Sequence, residues 1–205
     1  MRTDKTRTTH TMTENVEDLF HVELKDVYDA EKRLVKALPK MAKAAESQKL
    51  RSAIEEHLQA THGHVKRLEQ IFEWLGQKPT AKTCDGMKGL ITEGEKGISE
   101  HPKGLFRDLM IIGEARRIEH YEMACYMTLS SIARNFDDGK IQEVLRSTLA
   151  EEESTDERLD AMFEELAAQY GGSEDGRFAE SRQPREEEEH EHAHVSGIDR
   201  TRWWW

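Results

Sequence analysis

Residues 20–45 read FHVELKDVYDAEKRLVKALPKMAKAA, a run whose apolar spacing predicts a long amphipathic helix. Its apolar residues recur at alternating steps of four and three, the spacing of a helix face turned toward a core; they are Phe20, Leu24, Val27, Leu34, Leu38, Met41 and Ala45. The position that continues this stripe between Val27 and Leu34 is Glu31. A carboxylate in a core is costly unless something compensates its charge. Glu31 therefore indicates a buried polar site.

The same periodicity predicts three further long helices. The first helix begins after Asn15, a plausible N-cap, and runs to about Ala45, with a kink expected at Pro39. The second ends at Gly76, the third runs from near Pro102 to about Asn135, and the fourth ends at Tyr170.

A longer connection, residues 77–101, separates the second and third long helices. It holds one shorter amphipathic piece with Met87, Leu90, Ile91 and Ile98. A single long crossover is typical of ferritin-like bundles, in contrast to simple up-down-up-down bundles. We therefore expect an all-α, ferritin-like four-helix bundle whose crossover contains a short extra helix.

Composition narrows the class of protein. The 205 residues carry a net charge of −11, which argues against nucleic acid as a partner. No apolar run is long enough to span a membrane, and the N-terminus lacks the apolar segment of a secretory signal, so a cytoplasmic protein is expected. We expect three parts: a flexible arm (1–14), the bundle (15–170) and a disordered, acidic, histidine-containing tail (171–205).

Acidic and imidazole side chains fall on or beside all four apolar stripes. The second helix has His62; the third has Glu119 and Glu122, three residues apart; the fourth has Glu152 and Asp156, four apart. Each has an ordinary explanation alone: Glu31 can pair with Arg116, His62 can be a hydrogen-bonded core histidine, and the glutamate pairs can be exposed.

Together these residues favour a metal site. Five carboxylates in one low-dielectric core would repel one another and take up protons, whereas two divalent cations would neutralise four of the charges. Mixed carboxylate and imidazole ligands suit iron, manganese or zinc.

Five runs of sequence, in this order, resemble the YciE/YciF family of ferritin-like stress proteins. They are YDAEKRLVKALPKMAKAA (28–45), HLQATHGHVKRLEQIF (57–72), CDGMKGLITEGE (84–95), EHYEMACYMTL (119–129) and TLAEEESTDERL (148–159). The resemblance covers about residues 15–170. It implies a ferritin-like bundle with a rubrerythrin-like dinuclear metal centre.

Carried over by position, the resemblance implies a set of metal ligands: Glu31, residues 59 and 62, Glu119, Glu122, Glu152 and Asp156. The family motif on the second helix is a glutamate, two residues and a histidine, but this chain has Gln59 before His62. A neutral amide is a poorer cation ligand, so one of the two metal positions is expected to be weak. Helical spacing also puts three tyrosines near the site, namely Tyr28, Tyr121 and Tyr126. Each can donate a hydrogen bond to a ligand carboxylate, or it can be an ordinary packing residue of the bundle.

Three functional hypotheses follow. The first is an oxidoreductase of ferroxidase or peroxidase type, whose two metal ions react with dioxygen or peroxide. The second is a non-catalytic stress bundle in which the metal is a structural staple or a relic, and the third is a bundle without metal. A homodimer is expected, and the electron donor is not readable because the chain has no four-cysteine module.

Overall fold

The computed structural model of the chain describes residues 15–135 and 139–171. They form five α-helices: α1 (Val16–Ala44), α2 (Gln48–Trp74), α3 (Asp85–Glu100), α4 (Leu105–Ala133) and α5 (Lys140–Gly171). These ranges contain no strand, so the all-α prediction is confirmed. The predicted arm (1–14) and the predicted tail beyond Gly171 lie outside the described residues.

Local sequence signals set the ends of the first two helices. The Asn15 side chain caps α1 by accepting a hydrogen bond from the backbone N–H of Asp18 at 2.8 Å. Ser47 caps α2 in the same way, accepting from the N–H of Leu50 at 3.4 Å. Pro39 lies inside α1 and does not end it.

The four long helices pack as antiparallel neighbours. Tyr28 of α1 meets Phe72 of α2 near one end of the bundle, and α1 reaches Ala44 where α2 begins. Asp108, at the start of α4, accepts hydrogen bonds from the backbone N–H groups of Glu46 and Ser47 at 2.8 and 2.7 Å. The α4 helix therefore starts where α1 ends. The crossover that this direction requires contains α3, as predicted for a ferritin-like bundle.

The core has two apolar parts with a polar layer between them. One part surrounds Leu38, Ile54 and Ile111, toward the α1–α2 turn. The other surrounds Leu24, Phe72 and Leu129, toward the opposite end. Between them lie buried polar side chains from α1, α2, α4 and α5. Across the described residues, no helix combines the length and apolar character that crossing a bilayer needs.

Candidate metal centre

The polar layer consists of carboxylates and imidazoles from all four long helices. Two groups have the spacing of metal ligands: His57, Glu119, Glu122 and Glu152 form one, and Glu31, His64 and Glu152 form the other. Within each group, one ligand atom per residue lies within 4.8 Å of the others, and every residue is buried. Glu152 belongs to both groups, so it lies where a bridging ligand would be.

Three contacts between imidazole nitrogens and carboxylate oxygens define the geometry of the groups. The Nε2 atom of His57 lies 3.3 Å from Oε1 of Glu119. In the second group, Nδ1 of His64 lies 3.0 Å from Oε1 of Glu152 and 3.5 Å from Oε1 of Glu31. The imidazole nitrogens of α2 thus face carboxylates of the other three helices.

Most ligand atoms of the polar layer lack a hydrogen-bond partner among the described residues. They are Glu31 Oε2, His57 Nε2, His64 Nδ1, Glu119 Oε2, and both carboxylate oxygens of Glu122 and of Glu152. Although His64 Nδ1 and Glu152 Oε1 are close, their orientation does not make a hydrogen bond. Buried polar atoms are normally paired, so this concentration of unpaired atoms indicates a group that the protein alone does not supply.

Burial makes the negative charges of this layer unfavourable in the metal-free protein. It raises the pKa of Glu31, and it raises the pKa values of Glu119 and Glu122 well above the usual range, with neighbouring carboxylates adding to the effect. Burial lowers the pKa of His57. Burial also opposes charge on His64, but the contacts with Glu152 and Glu31 outweigh it and raise the His64 pKa to about 11.

An outer set of hydrogen bonds orients His64. Its Nε2 lies 2.9 Å from Oε2 of Glu151, a carboxylate near the surface. Arg67 holds Glu151 with two hydrogen bonds of 2.9 and 2.6 Å and also donates to the hydroxyl of Thr148 at 3.1 Å. Nε2 is therefore occupied, and Nδ1 is left for a metal. Carboxylates commonly orient metal-binding histidines in this way.

The donor set fits a pair of divalent transition-metal ions. It offers carboxylate oxygens and imidazole nitrogens without a thiolate, the donors that iron, manganese and zinc accept. Cations would also remove the mutual repulsion of the four buried glutamates. The residues present therefore fit a metal centre on charge and on donor chemistry.

Four of the residues predicted from the sequence come together in the polar layer: Glu31, Glu119, Glu122 and Glu152. The prediction for α2 was wrong, because His62 and Gln59 are exposed to solvent. The buried face of α2 instead carries Ile54, His57, Thr61, His64 and Leu68. The expectation of a weak metal position at Gln59 therefore loses its basis.

Asp156 also lies outside the two ligand groups. Its Oδ1 accepts a hydrogen bond from Nε of Arg116 at 2.8 Å, and its Oδ2 lies 3.2 Å from Nε2 of His120. Burial alone would raise the Asp156 pKa, but Arg116 outweighs it and the pKa is lowered. Arg116 thus pairs with α5, and the alternative pairing of Arg116 with Glu31 is not seen.

Of the three predicted tyrosines, only Tyr126 contacts a candidate ligand in the described part of the chain. Its hydroxyl donates a short hydrogen bond to Oε1 of Glu31. The Tyr28 hydroxyl donates to Glu69 at 2.8 Å, and the Tyr121 hydroxyl lies 3.0 Å from Sγ of Cys84. The hydroxyls of Tyr28 and Tyr121 therefore have partners outside the two ligand groups.

His57 and His64 were not predicted, although their spacing in the sequence marks them as residues of the buried face. Steps of three and four from Ile54 give residues 57, 61, 64 and 68, the same rule that singled out Glu31. The half-buried Leu58 and Val65 shifted the predicted stripe by one residue. Glu151 and Arg67 left no comparable signal, because both lie at the edge of the buried face.

Fold and site together define the class: a ferritin-like helical bundle with a buried carboxylate and imidazole cluster. The chain belongs to the YciF-type family of the domain of unknown function DUF892, whose model matches residues 15–171. It is 39% identical over 145 residues to Protein YciF of Escherichia coli K12, an alignment covering 70% of this chain and 87% of that protein. The resemblance found in the sequence motifs is confirmed.

Solved structures agree with this assignment. The crystal structure of the E. coli stress protein YciF matches with a TM-score of 0.73 and 36% identity, over 76% of this chain and 99% of that one. YcfI of Rhodopseudomonas palustris, provisionally described as a structural protein, matches with a TM-score of 0.71 and 34% identity, over 74% and 96%. A Xanthomonas campestris protein, 18% identical with a TM-score of 0.59 over 76% and 96%, supports the fold alone.

Proposed function

We propose that this protein binds two divalent metal ions, iron foremost, in the polar layer and acts as a ferritin-like oxidoreductase of the stress response. The observation that carries the proposal is the position of Glu152. It joins two ligand groups in the centre of the bundle, and both of its oxygens lack a hydrogen-bond partner in the described structure. Shared carboxylates of this kind are the usual bridges of dinuclear sites in helical bundles.

The residues have distinct roles in this proposal. His57, Glu119 and Glu122 would hold one ion, Glu31 and His64 would hold the other, and Glu152 would be shared by the two groups. Bound iron would supply the redox chemistry toward dioxygen or peroxide. Glu151 and Arg67 keep Nδ1 of His64 turned toward the metal, and Tyr126 fixes one oxygen of Glu31. The role in stress follows the description of the E. coli relative as a stress protein.

Metal analysis of matched histidine variants tests the proposal. Protein incubated without oxygen with iron(II) and then desalted is expected to retain about two ions per chain. His57→Ala and His64→Ala should each lose about one ion, and Glu152→Ala should lose both. His62→Ala is the matched control, because His62 lies on the same helix but is exposed. Retention below about 0.2 ions per chain, or equal losses in all three histidine variants, would contradict the assignment.

A structural role of the metal is the second candidate. The ligands come from all four long helices, so bound ions would cross-link the whole bundle. This alternative predicts a large rise in melting temperature with metal but no consumption of dioxygen or peroxide. Measuring both quantities on the same iron-loaded sample separates the two functions.

A further inference from the structure

A small pocket lies beside the polar layer, on its side nearer the α1–α2 turn. His57 and Glu119 are at one end of it. Its walls are apolar side chains from the four long helices, namely Leu38, Met41, Ile54, Ala115 and Leu159. Ala53, Thr155 and Arg158 complete the lining, and Arg158 is exposed to solvent. The pocket therefore leads from the surface between α2 and α5 to the first ligand group.

The inner end of the pocket has atoms available to a ligand. Nε2 of His57 and Oε2 of Glu119 both lack a hydrogen-bond partner among the residues that the structure describes. The hydroxyl of Thr155 lies 3.4 Å from Nδ1 of His57, so it contacts the opposite nitrogen of the same ring. In a ferritin-like bundle a histidine is common three residues after the glutamate of a helix. Here Thr155 has that spacing from Glu152, and this smaller side chain leaves room in the pocket.

The outer end of the pocket carries an ion pair. Nη2 of Arg158 lies 2.6 Å from Oε2 of Glu56, and this ion pair joins α5 to α2. Both side chains are more than half exposed, so the pair is a weak surface contact that opens readily. A hydrated divalent cation is poorly suited to this pocket, because the apolar walls offer nothing to replace the water bound to the cation.

We propose that this pocket is the route by which dioxygen reaches the first ligand group, and that it binds dioxygen there. The inference rests on the proposed metal function and adds the place where the substrate enters. Dioxygen is uncharged and apolar, so it suits the apolar walls of the pocket. The volume of the pocket is enough for roughly one or two water molecules, which is the size range of dioxygen.

The first test uses xenon as an apolar probe on the metal-free protein, so it does not depend on metal binding. Saturable xenon-induced shifts in the methyl resonances of Leu38, Ile54 and Leu159 are expected. Ala53→Leu fills the pocket and should abolish them. Ala60→Leu, at a half-buried alanine on the same helix outside the pocket lining, should leave them unchanged. Xenon shifts that persist in Ala53→Leu would overturn the proposal, and Ala115→Val replaces that variant if it does not fold.

The second test follows dioxygen directly. Iron(II)-loaded protein is mixed with dioxygen in a stopped-flow instrument, after iron content is measured for each variant. Ala53→Leu should keep the iron content of the wild type but react at least about tenfold more slowly, while Ala60→Leu should match the wild type. The same variants are also mixed with hydrogen peroxide. If Ala53→Leu reacts with dioxygen at the wild-type rate, or is slowed only toward hydrogen peroxide, the pocket is not the dioxygen route, and the proposed metal function still stands. Xenon binding without iron uptake would instead overturn the metal function and the dioxygen site together.

Discussion

Nδ1 of His64 lies 3.0 Å from Oε1 of Glu152 at the centre of the bundle, and both side chains are fully buried. Burial opposes charge on His64, but the Glu152 and Glu31 oxygens outweigh it and raise the His64 pKa to about 11, which favours a proton on the ring when no metal is bound. A metal ion would take the place of that proton. The contact therefore relates metal binding to proton release and to the stability of the fold.

Stability of the metal-free protein is expected to fall as the pH rises. Burial raises the pKa of Glu31, Glu119 and Glu122 above the ordinary value of 4.5. A carboxyl group with a raised pKa in the fold stabilises it below the unfolded value, and this contribution is lost as the pH rises through the folded value. His57, whose pKa is lowered from 6.5, acts in the opposite direction but is one group against three.

The measurement is thermal unfolding after chelator treatment, at pH about 5.5 and about 8. The metal-free protein should melt at a higher temperature at the lower pH. Bound manganese or zinc should remove or reverse the difference, because cations favour the ionised carboxylates. A metal-free protein that is more stable at the higher pH would contradict the assigned pKa shifts.

Replacing Glu122 by methionine is expected to stabilise the metal-free protein and prevent stabilisation by metal. Both oxygens of Glu122 are buried without a hydrogen-bond partner, so an apolar side chain of similar size removes an unfavourable group. We expect a rise in melting temperature of a few degrees, measured by circular dichroism. Glu93→Met, at an exposed glutamate of α3, is the control and should change neither quantity.

Replacing Glu151 by glutamine is expected to weaken metal binding without removing a ligand. Glu151 holds Nε2 of His64, and loss of such an outer carboxylate typically lowers metal affinity by about ten- to a hundredfold. Competition with a chromophoric chelator measures the affinity. An exposed glutamate two residues further on gives a matched control, Glu153→Gln, which should bind metal as the wild type does. If Glu151→Gln and Glu153→Gln bind metal with equal affinity, Glu151 does not position His64 for metal binding.

Replacing Tyr126 by phenylalanine is expected to lower the affinity for metal, whereas replacing Tyr28 by phenylalanine should leave that affinity unchanged. Tyr126 donates to Glu31 inside the polar layer, while Tyr28 donates to Glu69 outside it. Tyr126→Phe leaves Oε1 of Glu31 without this donor and should destabilise the metal-free protein by about 1–3 kcal/mol. Denaturant unfolding and metal titration of the two variants provide the comparison. A similar loss of metal affinity in both would contradict the assignment.

The helices could be predicted from the sequence because their apolar periodicity is strong. The stripe of residues 20–45 identified α1, and Glu31 within it identified the polar layer, since a charge among leucines has few explanations. The single long crossover indicated the ferritin-like order of helices. The expected homodimer stays a prediction.

The register of α2 could not be fixed in the same way. Two stripes one residue apart fit the sequence, one through Leu58 and Val65 and the other through His57 and His64. Only the packing of α2 against the carboxylates of the other helices selects the second. The prediction for Asp156 failed for a related reason: its spacing from Glu152 suits a shared site, but Asp156 pairs with Arg116 and His120 of α4.

Crystals of the protein grown with iron(II) or manganese(II), examined by anomalous scattering, would show directly whether the polar layer binds two metal ions. Two anomalous peaks are expected in this layer, one beside His57, Glu119 and Glu122 and the other beside Glu31 and His64, with Glu152 between them. No peak in this layer at saturating metal, or peaks confined to exposed residues such as His62, would contradict the proposed metal centre.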